Sequence, residues 1–198
     1  MNRLPIVMLT EELLYSTDST LRKACREIDI NDPEDLKFAQ VLIGHMFRTL
    51  YADPSGVALA SPQVGLLVCV TVISFDDQEA DETRLMALIN PKIIRYSDET
   101  TAKNEICLSA PNQTGKVVRA LQVDVEAYDQ HGRPVAFCAE GFFARVIQHE
   151  LDHLNGILYI DRVDDKLETV PDFPERRVIP ALAQLELPSL QQVRPVDS

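Results

Sequence analysis

The chain of 198 residues has a mass of 22.2 kDa, a size that fits one domain better than two. Its 45% hydrophobic and 25% charged residues exclude global disorder. Lys and Arg number 19 against 31 Asp and Glu, a formal charge of −12, which argues against a general affinity for nucleic-acid backbone because phosphates require clustered cations.

The start, Met1–Ile6, has neither the long apolar stretch of a secretory signal nor an Arg/Ser-rich transit pattern. Asp18-Ser19-Thr20 is placed to cap a short helix carrying Leu21 and Cys25. A clearer start follows: Asn31-Asp32 caps, Pro33 occupies the first turn, and Glu34 and Asp35 complement the positive helix end. Leu36, Ala39, Leu42, Ile43, Met46, Phe47 and Leu50 then form a helical stripe that ends near Tyr51, with His45 as an ordinary surface or boundary residue.

The middle of the chain reads as strands. Val68–Ser74 is short and β-branched, and the surrounding apolar run, about Leu66–Ser74, is too short to span a bilayer. No membrane contact is expected, and the cytoplasm is the expected compartment. Leu85–Tyr96 is a second apolar stretch, broken at Asn90-Pro91. Leu121–Tyr128 alternates, and Asp129–Gly132 turns it into a hairpin with Arg133–Cys138. After Gly141 the period becomes helical, with Phe143, Ile147, Leu151 and Leu154 on one stripe stopped by Asn155-Gly156. Pro171, Pro174, Pro180, Pro188 and Pro195 then predict a loosely structured tail, in which Val178–Ala183 could pack as a short segment. Four scattered cysteines suggest no disulfide framework, and Cys25, Cys69 and Cys138 read as small buried hydrophobes.

The second helix carries Gln148-His149-Glu150-Leu151-Asp152-His153. His149 and His153, four apart, project from one face and can bind one metal ion. Glu150, one step round, can bond a metal-bound water without being a ligand. Two histidines leave a catalytic site one protein ligand short. The candidates are a downstream carboxylate (Asp161, Asp164 or Asp165, all beyond the helix stop) or the thiol of Cys107 in Glu105-Ile106-Cys107-Leu108-Ser109. A thiolate binds a divalent metal strongly.

With these residues in view, the sequence resembles the peptide deformylase family, metallohydrolases that remove the N-formyl group from nascent bacterial and organellar polypeptides. Three family motifs occur in order. The pattern G-φ-G-φ-A-A-x-Q corresponds to Gly56-Val57-Ala58-Leu-Ala-Ser61-Pro-Gln63, E-G-C-φ-S to Glu105–Ser109, and Q-H-E-φ-D-H is intact at Gln148–His153. The likeness runs from about Pro5 to Val163 and includes Asp18–Arg22 and Tyr159–Arg162. It implies an α+β fold with mixed or antiparallel sheets packed around a central metal-binding helix, Phe142–Leu154. Residues 1–165 would form the catalytic domain and 166–198 a proline-rich tail.

By the same resemblance, Cys107, His149 and His153 hold one divalent ion, Fe2+ as the usual metal with Zn2+ or Ni2+ as substitutes. Glu150 takes a proton from water and returns it to the departing amine. The Gln63 amide and the Leu108 backbone N–H meet the developing oxyanion. Gly56, Val57, Ala58, Glu105, Ile106 and Val146 line the path of an N-formylated peptide or small formamide, and association with the ribosome is implied. Two positions depart from the family pattern: Ala58 and Ile106 stand where it has glycine. Ser61 replaces an alanine, and Gln113-Thr114-Gly115 occupies a stretch where many bacterial members carry an arginine. These changes bear on substrate choice. They admit two other readings, a hydrolase of a different N-formyl or small N-acyl amide and a weakly active, inhibitor-binding homologue.

Overall fold

Asp32 opens the first long helix because its carboxylate accepts the Glu34 backbone N–H while Pro33 takes the first turn, where no donor is needed. The computed structural model describes residues 4, 6, 19–52, 56–77, 82–163 and 167–169. In it this helix, α1, spans Pro33–Leu50. The predicted stripe is buried from Ala39 to Leu50 and packs on Leu59, Val70 and Val72.

Among the described residues eight strands follow in order: β1 (Ala58–Ala60), β2 (Val70–Asp77), β3 (Glu82–Tyr96), β4 (Thr100–Cys107), β5 (Ala110–Ala120), β6 (Gln122–Tyr128), β7 (Pro134–Glu140) and β8 (Glu168–Thr169). They form a five-stranded sheet in the order β1-β2-β3-β6-β7 and a three-stranded sheet in the order β4-β5-β8. Every neighbouring pair is antiparallel, which decides between the mixed and antiparallel alternatives. The second helix, α2 (Gly141–Leu154), lies between the sheets. Ala144, Ile147 and Leu151 pack on Leu88, Val123, Val125 and Phe137 of the large sheet. Beside the small sheet, Cys107, Val117, Leu158 and Tyr159 form a separate apolar cluster. No helix among the described residues is long and apolar enough to cross a membrane.

Several expectations need correction. The early helix is only a 3-10 turn, Thr20–Arg22, capped by Ser19; Cys25 lies beyond it in an extended segment, where Arg26 bridges Val68. The break at Asn90-Pro91 is a bulge within continuous β3: the pairing with β6 shifts register between Ile89 and Lys92. Asn90 adopts φ 50° there, and its side chain closes two bonds on the Ile28 backbone that hold the bulge. Cys138 is exposed rather than buried, because it points outward from β7, and Cys25 and Cys69 are half-buried. Strands β4 and β5 had no sequence signal of their own. The proline-rich segment, including Val178–Ala183, lies outside the described residues.

Candidate metal centre

Strand β7 turns into α2 through Gly141, whose φ of 58° is a left-handed conformation that glycine adopts without strain. The turn aims one face of α2 at the end of β4. On that face His149 and His153 sit edge to face with ring centroids 5.0 Å apart. Cys107 ends β4 just before the tight connection to Ala110, and its Sγ lies 3.3 Å from His153 Nε2. The ligand atoms of Cys107, His149 and His153 all lie within 4.8 Å of one another, the one such group of three among the described residues.

The surroundings tune these atoms. Glu105, two residues before Cys107 and so on the same face of β4, accepts a bond from His149 Nδ1 at 2.9 Å. That bond leaves Nε2 as the imidazole nitrogen available to a metal. Burial alone would raise the Glu105 carboxyl, but His149 and Arg119 outweigh it and hold it at about 2. Burial would likewise raise the Cys107 thiol, yet His153 and His149 pull it well below the ordinary thiol range. The His149 imidazole, disfavoured as a cation by burial, is pulled up to about 10 by Cys107 and Glu105. Glu150 is buried and raised to about 7, chiefly by burial and against the pull of the two histidines. Its Oε2 has no hydrogen-bond partner among the described residues, which fits a carboxylate reserved for a bound water.

Gln63 is set by a 3-10 turn, Ser61–Val64, that ends in left-handed Gly65. Its Oε1 accepts the Ala60 N–H at 2.8 Å, which fixes the amide so that Nε2 points at Cys107 Sγ, 3.5 Å away, and Ser109 Oγ, 3.3 Å away. A cleft of about 340 Å³ opens over these groups. Strand β1 and its approach supply Val57 and Ala58, β4 and its turn supply Glu105, Ile106, Cys107 and Leu108, and α2 supplies Val146, His149 and Glu150. His153 lies deeper and is buried. Gly56 is half-buried and stands outside the cleft wall.

Of the carboxylates weighed as third ligand, Asp161 is engaged elsewhere: it pairs with Arg22 and accepts the Leu158 N–H at 2.9 Å. Asp164 and Asp165 lie outside the described residues. The cleft also contains Phe142 and Arg145, which the sequence reading missed. Both share the His149 face of α2 at helical spacing, so the periodicity did hold a signal for them. In the stretch that carries no arginine, Thr114 donates to the Glu105 carbonyl at 3.0 Å, and Gly115 faces Val163 so closely that a Cβ would stand 2.6 Å from it.

A buried thiolate on a strand, two helix-borne imidazoles and an unpaired carboxylate, set in an α+β fold, define a mononuclear metallohydrolase. The profile of the polypeptide deformylase family matches residues 10–168. The peptide deformylase of Brachyspira hyodysenteriae is 38% identical over 194 residues, covering 96% of each chain. That of a Synechocystis strain is 40% identical over 156 residues, 79% of this chain and 80% of its own. Among solved structures, the Met-Ala-Ser-bound class I type b peptide deformylase of Acinetobacter baumannii aligns with a TM-score of 0.68 and 28% identity, over 82% of this chain and 99% of that one. The peptide deformylase of Thermotoga maritima aligns at 0.69 and 32%, over 83% and 100%. The chain belongs to the polypeptide deformylase family. It is a metal-dependent hydrolase that removes the N-formyl group from nascent polypeptides.

Proposed function

We propose that Cys107, His149 and His153 hold the metal ion and that the substrate is a formyl-methionyl peptide lying in the cleft between β1 and β4. The observation that carries the ligand assignment is the convergence of those three donors within 4.8 Å beside a Glu150 oxygen that has no hydrogen-bond partner among the described residues. Among the described residues strand β1 pairs only with β2, and β4 only with β5, so each offers a backbone edge on which an extended peptide can add as a strand.

A divalent ion held by these three residues would supply Lewis-acid polarisation and a lowered pKa for water at the site. Glu150 accepts a proton from the attacking water, a role its buried carboxylate beside the two histidines can fill. The Gln63 Nε2–H and the Leu108 backbone N–H donate to the oxygen that gains charge as the formyl carbon becomes tetrahedral. Glu150 then delivers its proton to the peptide nitrogen, the C–N bond breaks, and formate and a free α-amine result. Glu105 holds His149 in the tautomer this chemistry needs. One thiolate and two imidazoles can hold Fe2+, Zn2+ or Ni2+, and the family resemblance favours Fe2+ as the resident ion. The place of action is the cytoplasm, where formylated chains leave the ribosome. The formal charge of −12 argues against a general affinity for nucleic-acid backbone.

A second reading, a small formamide as substrate, is favoured by one feature: Ile106 sits on the cleft wall where the family has glycine, with 47% of its surface exposed. The deciding experiment measures formate release from formyl-Met-Ala-Ser and from a panel of formylated amino acids and amines, using protein prepared without oxygen. A kcat/KM highest for the tripeptide supports the first reading. Activity confined to the small amides refutes it.

A further inference from the structure

Beneath the metal ligands runs a chain of buried ion pairs in which Asp152, inside the helical motif, has so far had no role. Glu105 is the hub. Its two oxygens accept Arg119 Nε and Nη2, each at 2.9 Å, Arg145 Nη1 at 2.7 Å and His149 Nδ1 at 2.9 Å. The remaining arm of Arg119, Nη1, reaches Asp152 Oδ2. Asp152 is in turn gripped by Arg162 through Nε and Nη2, both at 2.6 Å. Glu105, Arg119 and Asp152 are all buried, whereas the Arg162 side chain is 42% exposed. The chain therefore runs from solvent to a metal-ligand imidazole.

Its connectivity is a closed circuit. Asp152 and His149 both project from α2, three residues apart; Arg119 is on β5 and Glu105 on β4, two residues before Cys107. Going His149, Glu105, Arg119, Asp152 and back along the helix ties the element that carries two donors to the strand that carries the third. No other bond among these side chains joins Arg119 to α2. The planar guanidinium meets Glu105 with two donors and Asp152 with a third, and so joins the bonds of Arg145 to Glu105 and Val117 and of Gln148 to Ala120 in holding α2 against β4 and β5. Asp152 also shares the positive charge of Arg119, which leaves Glu105 a stronger acceptor for the His149 N–H and the imidazole a more basic ligand.

We propose that Asp152 is a positioning residue for the metal centre, acting through Arg119 and Glu105 to fix Cys107 against His149 and His153. The inference rests on the metal-ligand assignment made above. Its test measures Zn2+ affinity of the metal-free full chain by competition with a chromophoric chelator, after circular dichroism has shown native folding. Asp152→Asn keeps the shape and removes the charge; the expected result is affinity weaker by about 10–100-fold and a shifted d–d absorption spectrum after Co2+ loading. Because Asp152 acts through Glu105, the double variant Asp152→Asn/Glu105→Gln should bind Zn2+ no more weakly than Glu105→Gln alone. Losses that add, or a folded Asp152→Asn with affinity and spectrum like the parent, overturn the proposal. Should Asp152→Asn not fold, Asp152→Ser makes the same test: it removes the carboxylate and leaves both Arg119 bonds to Glu105 in place, so weaker binding supports the role and parental binding overturns it. His149→Ala is the control for the assignment beneath it. Parental affinity in that variant removes the metal-ligand reading itself, whereas loss there with none in Asp152→Asn removes only the positioning role.

Discussion

Replacing Ile106 with glycine separates the effect of the cleft from that of the catalytic groups. Ile106 lies at the irregularity in β4, where the register with β5 shifts between Glu105 and Cys107, and it lines the cleft with 47% of its surface exposed. About half of a full isoleucine burial is therefore lost in Ile106→Gly, roughly 1 kcal/mol, and glycine in a strand adds about 0.5–1 kcal/mol of backbone entropy. Folding should weaken by about 1.5–2 kcal/mol, a fall in Tm of about 3–8 °C. Catalysis should move the other way. A peptide extended along β4 passes this side chain, whereas a formylated single amino acid ends before it, and relief of such steric exclusion is worth about 1–3 kcal/mol. The expected outcome is a kcat/KM for formyl-Met-Ala-Ser raised by about 10–200-fold, with a much smaller gain for formyl-Met, both measured as formate release by metal-loaded protein. Equal gains, or none on either substrate with the metal retained, would refute the idea that Ile106 constrains the peptide path. The small-formamide reading would then lose the feature that favours it.

Other expectations follow from the same geometry. Glu150→Gln, isosteric but unable to accept a proton, should keep near-stoichiometric metal by elemental analysis and lose nearly all turnover; loss of metal together with turnover would make Glu150 a ligand. Gly156→Ala should be among the most damaging single-methyl changes: its φ is 73°, and a Cβ would stand 2.6 Å from the Arg22 carbonyl oxygen, which is backbone and cannot swing away. A cost of at least about 2 kcal/mol, or a Tm fall of about 5 °C, is expected in thermal unfolding, and an unchanged Tm would contradict the close approach. The metal-free protein should lose stability as acid protonates Glu105. Its folded carboxyl is held at about 2 against an ordinary 4.5, so the stabilisation is fully present above about pH 4.5 and disappears as pH falls towards 2. Urea unfolding of parent and Glu105→Gln across that window should show the steeper pH slope in the parent. Parallel slopes would mean that the ion pairs contribute no pH dependence.

Much of the catalytic helix was legible in the chain itself. The spacing of His149 and His153, the position of Glu150 beside them and the apolar stripe of Ile147, Leu151 and Leu154 are all consequences of a 3.6-residue period, a local property that a short stretch of sequence determines. The start of α1 at Asp32-Pro33 was equally local, since cap and first turn are neighbours. The proposed third ligand was not determined in this way. Residue types alone left Cys107 open beside Asp161, Asp164 and Asp165, and the resemblance to a family singled out the thiol. What places that thiol is the end of β4 brought against α2, with Asp161 drawn off to Arg22. Cys138 was misjudged for a related reason: its apolar neighbours alternate across a strand, and only the packing of β7 decides which face is inward. The ion circuit through Arg119 lay furthest beyond sequence reasoning. Its members are spread over β4, β5, α2 and the turn at Arg162, separated by as many as 44 residues within a single bond. Their meeting depends on antiparallel pairing that no periodicity encodes, and a buried guanidinium between two carboxylates exists only once the sheet and the helix have closed around it.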